Sequence, residues 1–354
     1  MYTSPDMKAK KLVKNIISWA VILFFGYLVY RNIGDFKTLV ATISDADLVF
    51  MGWGLLLGIG NLAVMTVIFR SNYSIFANKN EPIGPIFPEM IAFSFFMISN
   101  PLGVAAANAF FVRKLAKKGF SFVQSLFSMF SVQLSIQIAF LPILGIALLI
   151  LKNSEKLNQY TIYGSGALLL LNAIIIVIMV LLLVLPHFSL GIAKVIGKFV
   201  NSISKAIIKV KVINTKKVEN MIIMVQNVSG TFDSSFKKYA KTLLFSLIYH
   251  IICIVILYFA FATFNVKIPI SSLVTLYGII FLFSVVAPTP QGIGIVESLA
   301  QIAAISIGIP SGAATVAILL YRVMVLWAPA LFGLFLFKFN KVETNTPSLV
   351  PSNS

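Results

Sequence analysis

Glu297 and Arg322 are the residues of this chain whose type and position most invite chemistry. Each is an ionisable side chain inside an apolar stretch. Glu297 closes Phe283-Ser-Val-Val-Ala-Pro-Thr-Pro-Gln-Gly-Ile-Gly-Ile-Val-Glu297, and Arg322 stands in Ile318-Leu-Leu-Tyr-Arg-Val-Met-Val-Leu-Trp327. A charge at the centre of a bilayer costs about 2.5–3.5 kcal/mol on insertion scales, so such residues face a cavity or a partner. The two have opposite signs. Two roles are open to them: lining a polar cavity that contacts a lipid headgroup, or forming a buried structural ion pair. One pair can do both.

Pro288, Pro290, Gly292 and Gly294 stand just before the carboxylate. A continuous helix does not survive them. Broken backbone at membrane depth is tolerated only where protein or a water-filled cavity satisfies its polar groups. The break can therefore turn free N–H groups and a helix N-terminus toward an anion such as phosphate; a kink made only for packing is the alternative. Ser99-Asn-Pro-Leu-Gly103 carries the same polar-Pro-x-Gly core as Thr289-Pro-Gln-Gly292. Asn100, Pro101 and Gly103 are thus candidates for an equivalent role, with Asn108 and Arg113 nearby. Tyr321, beside Arg322, joins the candidate binding residues.

Other chemistry finds no support. Gly292-Ile-Gly294 lacks the third glycine of a dinucleotide fingerprint. His187 and His250 have no partner at metal-ligand spacing, and His250 reads as a core residue rather than a proton relay. No catalytic triad, P-loop or paired-carboxylate motif occurs. No cofactor or metal is expected. Cys253, the single cysteine, lies in an apolar run and reads as a small core residue.

The elements that must position these residues are membrane helices. The chain has 354 residues, 59% hydrophobic and only 11% charged, against roughly 25% charged in soluble domains. Net charge is +17, and the basic residues flank apolar runs, which points to a membrane rather than nucleic acid. Apolar runs of spanning length fall at about 15–31, 48–70, 121–151, 161–187, 242–264 and 311–338. Regions 86–111 and 270–309 are also apolar but interrupted by Pro and Gly. The run Ile16–Tyr30 follows an N-terminal lysine cluster without a small-x-small cleavage pattern, so it reads as an uncleaved first span.

Lysine and arginine placement sets the orientation. The N-terminal lysines and Arg113-Lys-Leu-Ala-Lys-Lys118 mark the inside, and Asp35, Asp45 and Asp47 suit the outside. Region 86–111 then begins and ends on the inside, and region 270–309 begins and ends on the outside. Each reads as a re-entrant hairpin. Segment 188–241 holds ten lysines against Glu219 and Asp233 and is cytoplasmic. It reads either as amphipathic helices on an anionic inner leaflet or as a solvated linker packed on the bundle. Residues 342–354 form a polar tail read as disordered. The expected fold is all-α and polytopic, with about six spanning helices and two Pro/Gly-broken hairpins in an inverted repeat. One transmembrane domain covers 1–341, and both termini are cytoplasmic.

Pro288-Thr-Pro-Gln-Gly-Ile-Gly-Ile-Val-Glu297, Gly308-Ile-Pro310, Leu320-Tyr-Arg322 and Trp327-Ala-Pro329 together resemble the signature of the lysylphosphatidylglycerol synthase transmembrane-region family. Asn100-Pro-Leu-Gly103 to Arg113 is similar to an earlier block of that family. The resemblance covers about residues 10–340. It implies a flippase-like domain of the bacterial inner membrane that acts on a phospholipid or glycolipid. The chain ends at Ser354 and is expected to lack the soluble aminoacyl-transferase domain that some members carry. Two departures stand out: Gln291 occupies a position that is usually Gly, and Ala105-Ala-Ala107 replaces more polar residues. Both weaken lysyl-phosphatidylglycerol as the substrate. Besides lipid movement, two functions are open: a transferase acting on a lipid-linked donor, with Glu297 as its acid or base, and a non-catalytic subunit that binds an envelope-lipid enzyme through 188–241. Homo-oligomerisation is also open.

Overall fold

The computed structural model describes residues 46–76, 86–99, 103–117, 122–152, 159–184, 191, 236–287 and 290–339. The expected span 15–31, the positions Asn100, Pro101 and Pro288, nearly all of the lysine-rich segment 188–241, and the tail 342–354 lie outside the described residues.

The described residues form helices in the order α1 Leu48–Phe76, α2 Phe87–Ser99, α3 Val104–Lys117, α4 Phe122–Lys152, α5 Gln159–Val184, α6 Phe236–Ala262, α7 Ile270–Val286, a 3-10 turn Pro290–Gly292, α8 Ile295–Ser306, α9 Ser311–Arg322, a π-helical turn Val323–Trp327 and α10 Ala328–Phe339. Four stretches are long and apolar enough to cross a membrane: Leu48–Ile75, Phe127–Ile150, Lys237–Ala262 and Ser311–Gly333. α5 adds 26 residues, apolar in Leu169–Leu181. Regions 86–111 and 270–309 each resolve into two shorter helices, α2/α3 and α7/α8, that pack on one another across the Pro/Gly break. α6 begins six residues before the run expected at 242. Its first turns carry Lys237, Lys238 and Lys241, whose stems can follow the helix while their ammonium groups reach polar surroundings.

Local sequence explains the helix boundaries. Asp47 caps α1, its Oδ1 accepting from the N–H groups of Val49 at 2.9 Å and Phe50 at 3.4 Å. Pro269 and Pro310 occupy the caps of α7 and α9, where a missing N–H costs nothing. Between α6 and α7 the Asp47 N–H donates to the Thr263 carbonyl at 2.8 Å, tying the start of α1 to the end of α6. The π turn has its own cause. Pro329 cannot donate to the carbonyl four residues earlier and would clash with it, and one widened turn relieves that conflict.

Large apolar side chains stay exposed on several helices: Leu48, Val49, Trp53 and Leu56 on α1, Leu170, Ile174 and Val177 on α5, Leu244 and Ile251 on α6. Water would not tolerate so much apolar surface, but lipid does. Inside, one core cluster joins α1 to α4 around Phe69, Phe93 and Phe111. A second joins α4, α6, α7, α8 and α9 through Met324. Small residues let the helices approach closely. Ser125, Ser128, Ser131 and Ser135 form a buried stripe on α4, where the Ser131 hydroxyl donates to Asn72 Oδ1 at 2.6 Å. A smaller cluster links the two broken regions. Ile98 at the end of α2 and Ile293 after the 3-10 turn meet Leu326 and Ala330, just beyond Arg322.

Candidate functional site

The structure brings Glu297 and Arg322 into direct contact. Arg322 Nε donates to Glu297 Oε1 at 2.8 Å, and Arg322 Nη2 donates to the Gln291 carbonyl at 2.5 Å. The other carboxylate oxygen, Oε2, accepts from the Gly294 N–H at 2.7 Å. The side chains are 5% and 13% exposed for Arg322 and Glu297. One carboxylate and one guanidinium therefore hold the break at Gln291, Gly294 and Glu297, and fasten it to α9. The pair is charge-assisted and multiply bonded, the form in which a buried ion pair is best compensated. The first N–H ahead of α8 thus has its acceptor in the protein itself.

The backbone of the break follows from its residues. Pro290 opens the 3-10 turn with its fixed φ. Gly292 has φ 71°, and a Cβ there would stand 2.2 Å from Val296 Cγ2, so only glycine fits. Gly294 has φ 84° with open space around it, so conformation alone favours glycine. Gln291 lies between them at φ 52°, ψ 20°, a left-handed conformation that aims its carbonyl at Arg322. That conformation costs a non-glycine residue roughly 1–2 kcal/mol. Gln291→Gly should recover part of this, net of the greater freedom glycine has when unfolded, for a stabilisation of roughly 0.5–1 kcal/mol. A rise in the thermal unfolding midpoint of purified protein checks it; a fall would mean that the Gln291 side chain itself holds the break. At the other break, Gly103 enters α3 with φ 49°, again left-handed.

A cavity of about 530 Å³ opens beside the pair. Arg322, Tyr321 and Gln291 line it, together with polar side chains that sequence reasoning did not single out: Asn61, Ser94, Gln133, Gln137, Tyr249, Tyr277 and Ser284. Asn108 lines it too, from α3. Glu297 does not. The guanidinium has five N–H donors, of which two are engaged; the other three have no partner among the described residues. Arg322 thus meets its carboxylate on one side and the cavity on the other.

Two further groups shape the wall. The Cys253 thiol is buried, Asn61 Nδ2 donates to it at 3.3 Å, and Tyr249, Tyr277 and Tyr321 gather around it. His250 is fully buried, with Nδ1 2.6 Å from the Tyr277 hydroxyl and Nε2 2.9 Å from the Ile136 carbonyl. A carbonyl can only accept, so Nε2 carries the proton and Nδ1 accepts from Tyr277. His250 locks α4, α6 and α7 together behind the cavity. Only one signal could have revealed these residues beforehand: isolated Asn, Gln, Tyr and His within spans, where each polar group needs a partner or a cavity.

Comparison with known proteins follows the same segments. The family described as lysylphosphatidylglycerol synthase TM region matches residues 15–333. That range holds both broken regions, Glu297, Arg322 and every described wall of the cavity. No curated protein matches the chain.

Proposed function

The chain belongs to the lysylphosphatidylglycerol synthase transmembrane-region family, and from that premise we propose that it moves a lipid with a phosphate-bearing polar headgroup between leaflets. It is a multi-pass membrane protein of lipid metabolism or transport; movement across the bilayer is our extension of that. The observation that carries it is the divided environment of Arg322, paired with Glu297 on one side and facing a cavity between apolar helices on the other. In this reading α2/α3 and α7/α8 are re-entrant hairpins entering from opposite faces, related as an inverted repeat, and the headgroup passes between their tips. Arg322 attracts the phosphate, Glu297 holds Arg322 in place, and Gln291 and Tyr321 contact the headgroup. Pro288, Pro290, Gly292 and Gly294 shape the outer break, and Asn100, Pro101 and Gly103 the inner one. The protein sits in the bacterial inner membrane with both termini cytoplasmic, and segment 188–241 rests on the anionic leaflet. Nothing in the sequence suggests nucleotide use, so movement is facilitated or ion-coupled.

A transferase acting on a lipid-linked donor would need Glu297 as its acid or base. Both oxygens of that carboxylate are already engaged, and the cavity wall does not include it. Reconstitution separates the two functions. Vesicles with the purified chain and short-chain fluorescent phosphatidylglycerol should expose inner-leaflet label to a membrane-impermeant quencher faster than protein-free vesicles, with the lipid chemically unchanged on chromatography. Equal rates for every lipid tried, or a new lipid product, would contradict the proposal.

A further inference from the structure

We infer that the cavity selects a lipid whose headgroup joins one phosphate to an uncharged, hydroxyl-bearing group such as glycerol or a sugar, and disfavours headgroups that carry a cation. The inference rests on the reading above that this cavity receives the lipid. Its described wall contains a single charge, Arg322, and no Asp, Glu or Lys. The adjacent carboxylate, Glu297, stands outside the wall and has both oxygens bonded, one to Arg322 and one to Gly294. An ammonium group in the cavity would find no counter-ion among the described residues of its wall and would meet a fixed guanidinium, an unfavourable arrangement away from bulk water.

The rest of the polar wall is neutral and bifunctional. Asn61, Asn108, Gln133 and Gln137 bring amides, and Tyr249 brings a phenol. Amides and phenols both donate and accept, as hydroxyl groups do. Asn61, Gln137 and Tyr249 are partly engaged with Cys253 and Asn172, whereas Asn108 and Gln133 have no side-chain partner among the described residues and can meet a polyol in either sense. The two amides best placed to meet a headgroup are those of Asn108 and Gln133, both partly exposed. Asn61, by contrast, is buried, with its Nδ2 spent on Cys253. The volume, about 530 Å³, falls within the roughly 300–1,000 Å³ typical of small-ligand sites, enough for a headgroup while its acyl chains stay in the bilayer. The apolar flank at Ile175, Ile178 and Met179 on α5 suits those chains.

Direct binding to the full chain in detergent, followed by native mass spectrometry, tests this without requiring transport. Five probes define the site: phosphatidylglycerol, phosphatidic acid, phosphatidylcholine, lysylated phosphatidylglycerol and free glycerol phosphate. Phosphatidylglycerol should bind at least about tenfold tighter than phosphatidylcholine or lysylated phosphatidylglycerol, and several-fold tighter than phosphatidic acid, which has the phosphate but no alcohol hydroxyl. Gln133→Leu should remove that last margin. Asn108→Leu, at a second partly exposed position on the wall, serves if Gln133→Leu does not fold. Glycerol phosphate binding as tightly as the lipid would make the ligand a soluble anion and overturn the lipid assignment. Equal binding of the cationic lipids, or no binding of any probe, overturns the inference. Selective phosphatidylglycerol binding without translocation would leave the inference standing and sink the transport reading alone.

Discussion

Arg322→Gln is expected to destabilise the protein by roughly 3–5 kcal/mol, the cost of stripping one partner from a buried ion pair. The loss is not local to one contact. Without the guanidinium, the Glu297 carboxylate keeps only the Gly294 N–H, and the Gln291 carbonyl loses its donor. The left-handed turn at Gln291 then loses its polar ties to α9. Glu297→Gln should cost somewhat less, since a neutral amide can still accept from Gly294, but it leaves Arg322 as an uncompensated buried cation. The double variant should be less damaged than the sum of the two single ones, because a neutral pair needs no counter-charge. A double-mutant cycle of unfolding in detergent measures this coupling. Additive losses would mean that the contact does little for the fold.

Gly58→Ala should be the second large effect, although Gly58 touches neither charge. A Cβ at Gly58 would stand 2.0 Å from the carbonyl oxygen of Met324, in the π turn two residues beyond Arg322. Backbone cannot yield as a side chain does, so α1 and the π turn must separate. Overpacking of this kind costs about 1–3 kcal/mol. Gly54 is the internal control. A Cβ there would meet the thioether end of Met324 at 2.5 Å, and a flexible side chain can swing aside. Gly54→Ala is therefore expected to stay near wild type in stability, while Gly58→Ala lowers both stability and lipid movement through the displaced Arg322. Equal behaviour of the two variants would show that the close approach of α1 to the π turn is not what sets the position of Arg322.

Much of this site could be read from the sequence, and the rest was hidden for physical reasons. Glu297 and Arg322 announced themselves because a charge within an apolar run is costly and needs an explanation. The breaks at Asn100–Gly103 and Pro288–Gly294 were legible because Pro and Gly interrupt a helix whatever surrounds them. The helices of regions 48–70 and 121–151 begin within a residue of expectation, since each start follows a polar residue, Asp47 or Ser121, whereas α1 runs six residues past its expected end, to Phe76. α6 was placed late because Lys237, Lys238 and Lys241 look like loop residues until their stems are seen on the helix. The cavity wall was the least legible part. Gln133 and Gln137 stand four residues apart on one face of α4, but Asn61 and Tyr249 lie far from them in sequence on helices that are apolar nearly all round, so no pattern in the sequence shows that the three helices share that face. The π turn was hidden too, since Pro329 suggests a kink but not the geometry that relieves it.

The central claim is that Arg322 does more than close an ion pair: it offers the cavity a cation for a phosphate. The double variant Glu297→Gln with Arg322→Gln separates these roles, because it removes the cation while sparing the protein an uncompensated charge. Its rate of phosphatidylglycerol movement in reconstituted vesicles, measured on protein shown to be folded by its unfolding transition, is the most direct test. The account predicts a folded protein whose lipid movement falls to that of protein-free vesicles. A folded double variant that moves the lipid at the wild-type rate would contradict it.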